Sequence, residues 1–363
     1  MRKARWLAPW RNSAQKPVFY HCISRVVDRR HAFGAVEKEK FRALMRVYEQ
    51  FSGCQVVAYC VMSNHFHLLL EVPPSPAAGF SDNELLRRIG AISSEIVVAE
   101  VAIQLAEARK AGTPGLAEAA RKTIHDRYTY RMHDLGEFMK GLLQRFTQWF
   151  NRTHSRSGRL WEDRFKSVIV EDGTAARTMA AYIDLNPVRA GMAKDPADYR
   201  WSSYGEAIGG GTKSHGRTAR AGLVRAWGAH QGCSADADQW PGGFARQYRR
   251  LLLEGSALRS GETVTRSDGN PVRTLRNGRS KSALARELVR DGEIPFARML
   301  RHRIRYFSDG AVIGTRDFVD DAFLQSRNRF GMKRQSGARR LRGHAAAAAG
   351  FIWSFRDLQK GIG

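Results

Sequence analysis

Two β-rich runs, CQVVAYCVM at 54–62 and HFHLLLEV at 65–72, stand on either side of a two-residue turn, Ser63-Asn64. So short a connection admits an antiparallel hairpin and excludes a parallel crossover. Upstream lies a further β-rich run, VFYHCISRVV at 18–27, and then EKEKFRALMRVYEQF. In the latter Phe41, Leu44, Met45, Val47, Tyr48 and Phe51 recur mostly at helical spacing before Gly53. Downstream, Pro73-Pro74-Ser75-Pro76 stops the second strand, and 81–125 reads as a helical insertion broken at Gly112-Thr113-Pro114-Gly115. A strong helix at 134–154, a strand or hairpin at 159–172 and a helix at 176–186 ending before Pro187 complete the order. Strand, helix, strand, strand, helix, strand is the split βαβ pattern, so the expectation is α+β, a ferredoxin-like sandwich with an antiparallel sheet.

The predicted organisation is a basic N-terminal arm at 1–16, a main domain at 17–204 with its helical insertion at about 80–130, a Gly-rich linker at 205–217, and a basic, mainly helical C-terminal domain at 218–363. Charge supports two layers. The net charge is +25; residues 211–363 hold 29 Lys/Arg against 13 Asp/Glu, +16, leaving +9 for 1–210. Such an excess gathers polyanions, nucleic acid above all, without distinguishing DNA from RNA or anionic lipid. Arg301, Arg303 and Arg305, and then Lys333, Arg334, Arg339, Arg340 and Arg342, suit a salt-sensitive grip on duplex or hairpin stem. The cysteines (Cys22, Cys54, Cys60, Cys233) form no C-x-x-C pair, which argues against zinc knuckles and a disulfide framework. The N-terminus lacks a signal-peptide apolar stretch, and no run is long enough to span a membrane, so the cytoplasm is expected.

Chemistry concentrates in two places. On a strand, His65 and His67 project to one face while Phe66 turns to the other. Two such imidazoles are half of a divalent metal site, or equally a solvated pair. Tyr182 and Asn186, four apart, share a helix face if Pro187 allows it; they read as nucleophile and metal-binding amide, or as a packed ring and a cap. Around them, Arg159, Trp161, Arg164, Phe165 and Lys166 set aromatic rings among cations, as stacking platforms for unpaired bases or as core. Arg29 and Arg30 at a strand end, and Arg189 after Asn-Pro, are further candidate DNA contacts, with solvation as the alternative for the first two. Gly209-Gly210-Gly211-Thr212-Lys213-Ser214 lacks the Gly-Lys-Ser/Thr order of a phosphate loop and reads as linker.

Taken in order, VVAYCVMSNHFHLLLEVP, FMKGLLQRFTQWFNRTHSRSGRLWEDRFKSVIVEDG and AAYIDLNPVRAGMAKDPADYRWSSYGEA resemble the REP-associated tyrosine transposases of the HUH single-strand transposase superfamily, over roughly 17–210. The resemblance implies a ferredoxin-like fold and Tyr182 as nucleophile. It implies a Mg²⁺ or Mn²⁺ ion on His65, His67 and Asn186, and hairpin-bearing single-stranded DNA as partner, cleaved and rejoined through a 5′-phosphotyrosine. The alternatives are a domesticated relative that binds single-stranded DNA or RNA hairpins without cutting, and a water-using hydrolase. Monomer and homodimer are both open.

Overall fold

The computed structural model describes residues 6–12, 16–110, 112–210, 214–228, 240, 242–256, 264–265, 271–272, 311–329, 337 and 353–355. In chain order come β1 (Val18–Arg25), α1 (Ala35–Ser52), β2 (Gln55–Val61), β3 (His65–Val72), α2 (Asp82–Ile92), α3 (Glu95–Ala108), α4 (Pro114–Thr129), α5 (Leu135–Thr153) and β4 (Lys166–Val170). These strands lie side by side as β2-β3-β1-β4 with every neighbouring pair antiparallel. The α+β class and the split βαβ order read from the sequence are therefore the observed ones, with α1 and α5 as the paired helices.

Alternation along the strands builds two cores. Tyr20, Cys22, Phe66, Leu68 and Leu70 face α1 and α5, where they meet Phe41, Met45, Phe138 and Phe146. A Cβ at Gly141 would fall 2.3 Å from the Tyr48 ring, so the close seating of α5 on α1 needs that glycine. The insertion is helical as expected: α2, α3 and α4 extend this layer through Leu85, Ile89, Val101, Leu105 and Ile124. Phe19, Leu69, Val168 and Val170 face the other way, beneath α6 (Thr174–Asp184). There α7 (Asn186–Arg189), α8 (Ser203–Gly209), α9 (Ser214–Gly228) and α10 (Gly242–Ser256) follow. The sheet is thus covered on both faces.

Three boundaries differ from the expectation. The described residues of the anticipated linker belong to α8, its cap Gly210 and the start of α9, and α9 lies so close to β2 that a Cβ at Gly222 would come 2.3 Å from the Val56 carbonyl oxygen. The described residues of the C-terminal part are mostly helical, as expected, and some of them also extend the main sheet. After a small hairpin of β5 (Val264–Thr265) and β6 (Pro271–Val272), strand β7 (Val312–Gly314) joins the main sheet parallel to β4. Helix α11 (Arg316–Gln325) and strand β8 (Trp353–Phe355) follow, β8 pairing with β7, so the sheet has six strands among the described residues. The described residues of the basic arm are also part of the fold. Trp6 Nε1 donates to Ser326 Oγ at 2.9 Å, Ala8 is buried with its N–H on the Tyr20 hydroxyl, and Trp10 meets the Phe318 ring edge-on. The arginine run at 301–305 and the cations at 333–342 lie outside the described residues. No helix among those described is long and apolar enough to cross a membrane.

A buried ionic knot ties α8 to α1 and β2. The fully buried Glu206 accepts from Arg42 Nη1 at 2.9 Å, Arg46 Nη2 at 2.7 Å and the Tyr59 hydroxyl at 2.9 Å. Removing one member of such a set leaves charges without partners in a dry site, at a cost of about 3–5 kcal/mol. Urea denaturation of Glu206→Ala should therefore show a loss of that size, whereas a loss below 1 kcal/mol would mean the knot is well hydrated.

Candidate active site

On the face of the sheet under α6, cross-strand rows place His65 beside Arg25, then His67, Ile23 and Lys166 together, then Leu69, His21 and Val168. Strand pleating alone puts these side chains on one face, opposite Phe66. The two imidazoles of β3 lie edge to face with centroids 5.1 Å apart.

Each ring is held through Nδ1. Asn64 donates from Nδ2 to the Arg29 carbonyl oxygen at 2.8 Å, so its Oδ1, 2.7 Å from His65 Nδ1, is the acceptor of that pair. His65 is thereby set with its proton on Nδ1 and a lone pair on Nε2. His67 Nδ1 lies 3.0 Å from Nε2 of the fully buried His21, and their rings stack at 5.2 Å and 13°. Burial lowers the His65 pKa to about 4, assisted by Arg25 and His31, and it lowers His67 well below the ordinary value, assisted by His65, His21, Arg189 and Arg25. Both rings are neutral at pH 7, as metal ligation requires.

Tyr182 is buried at 1% exposure, with its ring against His67 at 5.8 Å and against His21 at 6.0 Å, both edge-on. The Arg189 guanidinium lies over that ring, 4.1 Å from its centroid, and Arg189 Nη2 donates to Asn186 Oδ1 at 3.1 Å. Pro187 does not end the helical path here. The break falls at Leu185, and Asn186-Pro187 opens the extra turn α7, where a proline lacks no needed N–H. Tyr182, Asn186 and Arg189 consequently form one contiguous group. Among the described residues no cluster of three or more His, Cys, Asp or Glu could hold a metal. A donor set built on His65 and His67 therefore needs a neutral oxygen such as that of Asn186, together with oxygens from a substrate. A neutral imidazole with a free Nε2, as His65 has, fits such an ion.

The remaining predicted DNA contacts divide. Trp161 is partly buried and packs against the core: its Nε1 donates to Thr147 Oγ1 at 2.9 Å and its ring meets Phe33, Phe41, Phe66 and Phe146. It forms only an isolated bridge with Val26, the strand proper beginning at Lys166, and Phe165 is buried as well. Arg159 is exposed and donates to the Glu162 carbonyl oxygen; Arg164 is exposed just before β4. Lys166 is exposed at the start of β4, on the histidine face. Asp28 and Arg29 both adopt left-handed backbone (φ 57° and 56°), a turn pinned by Asn64, and Arg30 pairs with Asp28 at 3.4 Å. Sequence reading missed His21, Asn64 and Arg25. Only the cross-strand register singles out His21 and Arg25, while Asn64 was visible as the residue before the histidine strand.

Asp184 turns away from this group. Its buried carboxylate accepts from the Tyr204 N–H at 3.0 Å and the Tyr248 hydroxyl at 2.7 Å, joining α6 to α8 and α10. Burial pushes its pKa up to about 7, although those hydrogen bonds oppose the shift.

Among known families, residues 14–104 match the one described as "Transposase IS200 like", about a quarter of the chain. The match takes in β1 to β3 and most of α3, hence both histidines, and stops short of Tyr182. No curated protein matches. Among solved structures, a REP-associated tyrosine transposase bound to a REP hairpin is similar at 12% identity and TM-score 0.35, over 58% of this chain and 86% of that one.

Two outcomes are expected. Trp161→Ala opens the aromatic core and should destabilise the fold by about 3–5 kcal/mol in denaturant titrations, while single-strand affinity, measured where the variant is folded, stays unchanged. For Asp184 the folded carboxyl binds its proton more tightly than the unfolded one, so its contribution is complete below pH 4 and declines as pH rises towards 7. Melting wild type and Asp184→Asn side by side from pH 4 to 8 should show the wild type losing ground to the variant across that window. A constant difference would assign Asp184 an ordinary pKa.

Proposed function

From a sequence that matches the IS200-like transposases across its histidine strand, we propose a metal-dependent nickase and strand transferase for single-stranded DNA, with Tyr182 as nucleophile. The observation that carries this reading is the seating of the Tyr182 ring against His67, on the sheet face that also presents His65 and Arg25. In this reading His65, His67 and Asn186 hold Mg²⁺ or Mn²⁺. The ion's chemical contribution is to draw charge from the target phosphate and ease loss of the phenol proton. The Tyr182 oxygen attacks phosphorus, the bond from phosphorus to the 3′-oxygen breaks, and that oxygen leaves with a proton as a 3′-hydroxyl. A 5′-phosphotyrosine remains. Attack by another 3′-hydroxyl reverses the step without ATP, because the ester bond is conserved.

Arg189 covers Tyr182, so substrate reaches the hydroxyl by displacing it; a phosphate is the natural exchange partner for its guanidinium. Arg25 has no side-chain partner among the described residues. With Lys166 on the same face it gives the incoming backbone two more cations. Hairpin-bearing single-stranded DNA is the partner implied by the sequence resemblance.

A specific observation favours the rival reading of a binder that does not cut: the near-complete burial of Tyr182. Incubating the protein with labelled single-stranded hairpin DNA and Mg²⁺ or Mn²⁺ decides between them. The expected product is a denaturation-resistant adduct, lost in Tyr182→Phe and with chelator. Tight binding without an adduct identifies the non-cleaving binder, and cleavage that survives Tyr182→Phe identifies a water-using hydrolase.

A further inference from the structure

His21 is a polar ring at the centre of an apolar strand face. Phe19 and Ile23 flank it along β1, Leu69 and Val168 lie across from it, and it is fully buried. Burying an imidazole costs free energy unless its nitrogens are bonded. His21 Nε2 sits 3.0 Å from His67 Nδ1. The antiparallel register makes His21 the diagonal neighbour of His67, and the same ring abuts Tyr182.

A hydrogen bond between two neutral imidazoles has two possible senses. If His21 donates, His67 carries its proton on Nε2 and cannot bind a cation through that atom. If His67 Nδ1–H donates and His21 Nε2 accepts, the His67 Nε2 lone pair is free. For His65 the corresponding choice is already made by Asn64 Oδ1, which can only accept. We propose that His21 is a positioning residue that accepts from His67 Nδ1–H, sets His67 as an Nε2 ligand and fixes its ring against Tyr182. Each imidazole of the pair then has its own orienting partner, Asn64 for His65 and His21 for His67. Loss of such a partner commonly weakens metal affinity by about 10–100-fold.

The inference rests on the reading of His65 and His67 as metal ligands, and its test separates the two. The full chain, labelled with ¹⁵N-histidine, gives the tautomer of each ring by NMR without metal or DNA; Mn²⁺ titration followed by the electron-spin signal of free Mn²⁺ gives affinity. Wild type should show His67 protonated at Nδ1. His21→Leu should lose that fixed tautomer while His65 keeps its own, and should bind Mn²⁺ about 10–100-fold more weakly. His21→Gln keeps an acceptor near the Nε2 position and should stay within a few-fold of wild type.

A His67 ring protonated at Nε2 in the wild type overturns the proposal. So does a folded His21→Leu with unchanged tautomer and affinity. Should His21→Leu fail to fold, the wild-type spectrum and His21→Gln still decide: failure of His21→Gln to retain the Nδ1–H form would overturn it. Wild type that shows the Nδ1–H tautomer yet binds no Mn²⁺ sinks the metal reading and leaves the His21 contact standing.

Discussion

Phe66 and the two histidines beside it must point to opposite faces of β3, and the whole candidate site follows from which way that alternation is locked. A slip of one residue would drive both imidazoles into the α1–α5 core and deliver Phe66 to the Tyr182 helix. Hydrophobic packing on the far face prevents it. Phe66 is fully buried, with Phe41 at 4.7 Å and Trp161 at 5.5 Å. The eight residue pairs between β1 and β3 carry that choice along the strand to Arg25 and His21. Trp161 therefore serves the site from behind, by fixing the register that aims the histidines.

How much of this was legible in the sequence varies with the range of the interaction. The β1-α1-β2-β3-α5-β4 order, the helical insertion and the common face of His65 and His67 follow from periodicity within single elements, and they were readable. His21 was not. An isolated histidine in VFYHCIS carries no periodic signal, and its contact with His67 depends on how two strands align. Trp161 and Phe165 were ambiguous because aromatic residues among arginines suit a base platform and a core edge alike; the fold buries Phe165 and sets Trp161 partly buried at the core's edge. The addition of β7 and β8 to the sheet was illegible for a different reason. Strands of three residues, such as Val312–Gly314, are too short to display alternation. Pro187 misled through a rule that is sound for helix interiors but does not hold at the first position of a new turn.

The placement of buried charge carries the functional argument one step further. The two large acidic anchors point away from the histidines: Glu206 into the arginines of α1, and Asp184 towards α8 and α10. Arg25 acts against the charged form of both His65 and His67, and Arg189 against that of His67. A divalent ion bound by two neutral imidazoles and an amide would keep its full charge, in a setting already tilted towards anions. On the proposed reading, such a place would hold its cation weakly until a phosphate arrived to share it, since the surrounding arginines would oppose the ion and favour the phosphate. Metal and DNA binding at this site should accordingly be cooperative. An acidic metal cage would bind its ion without substrate and gain little from the phosphate.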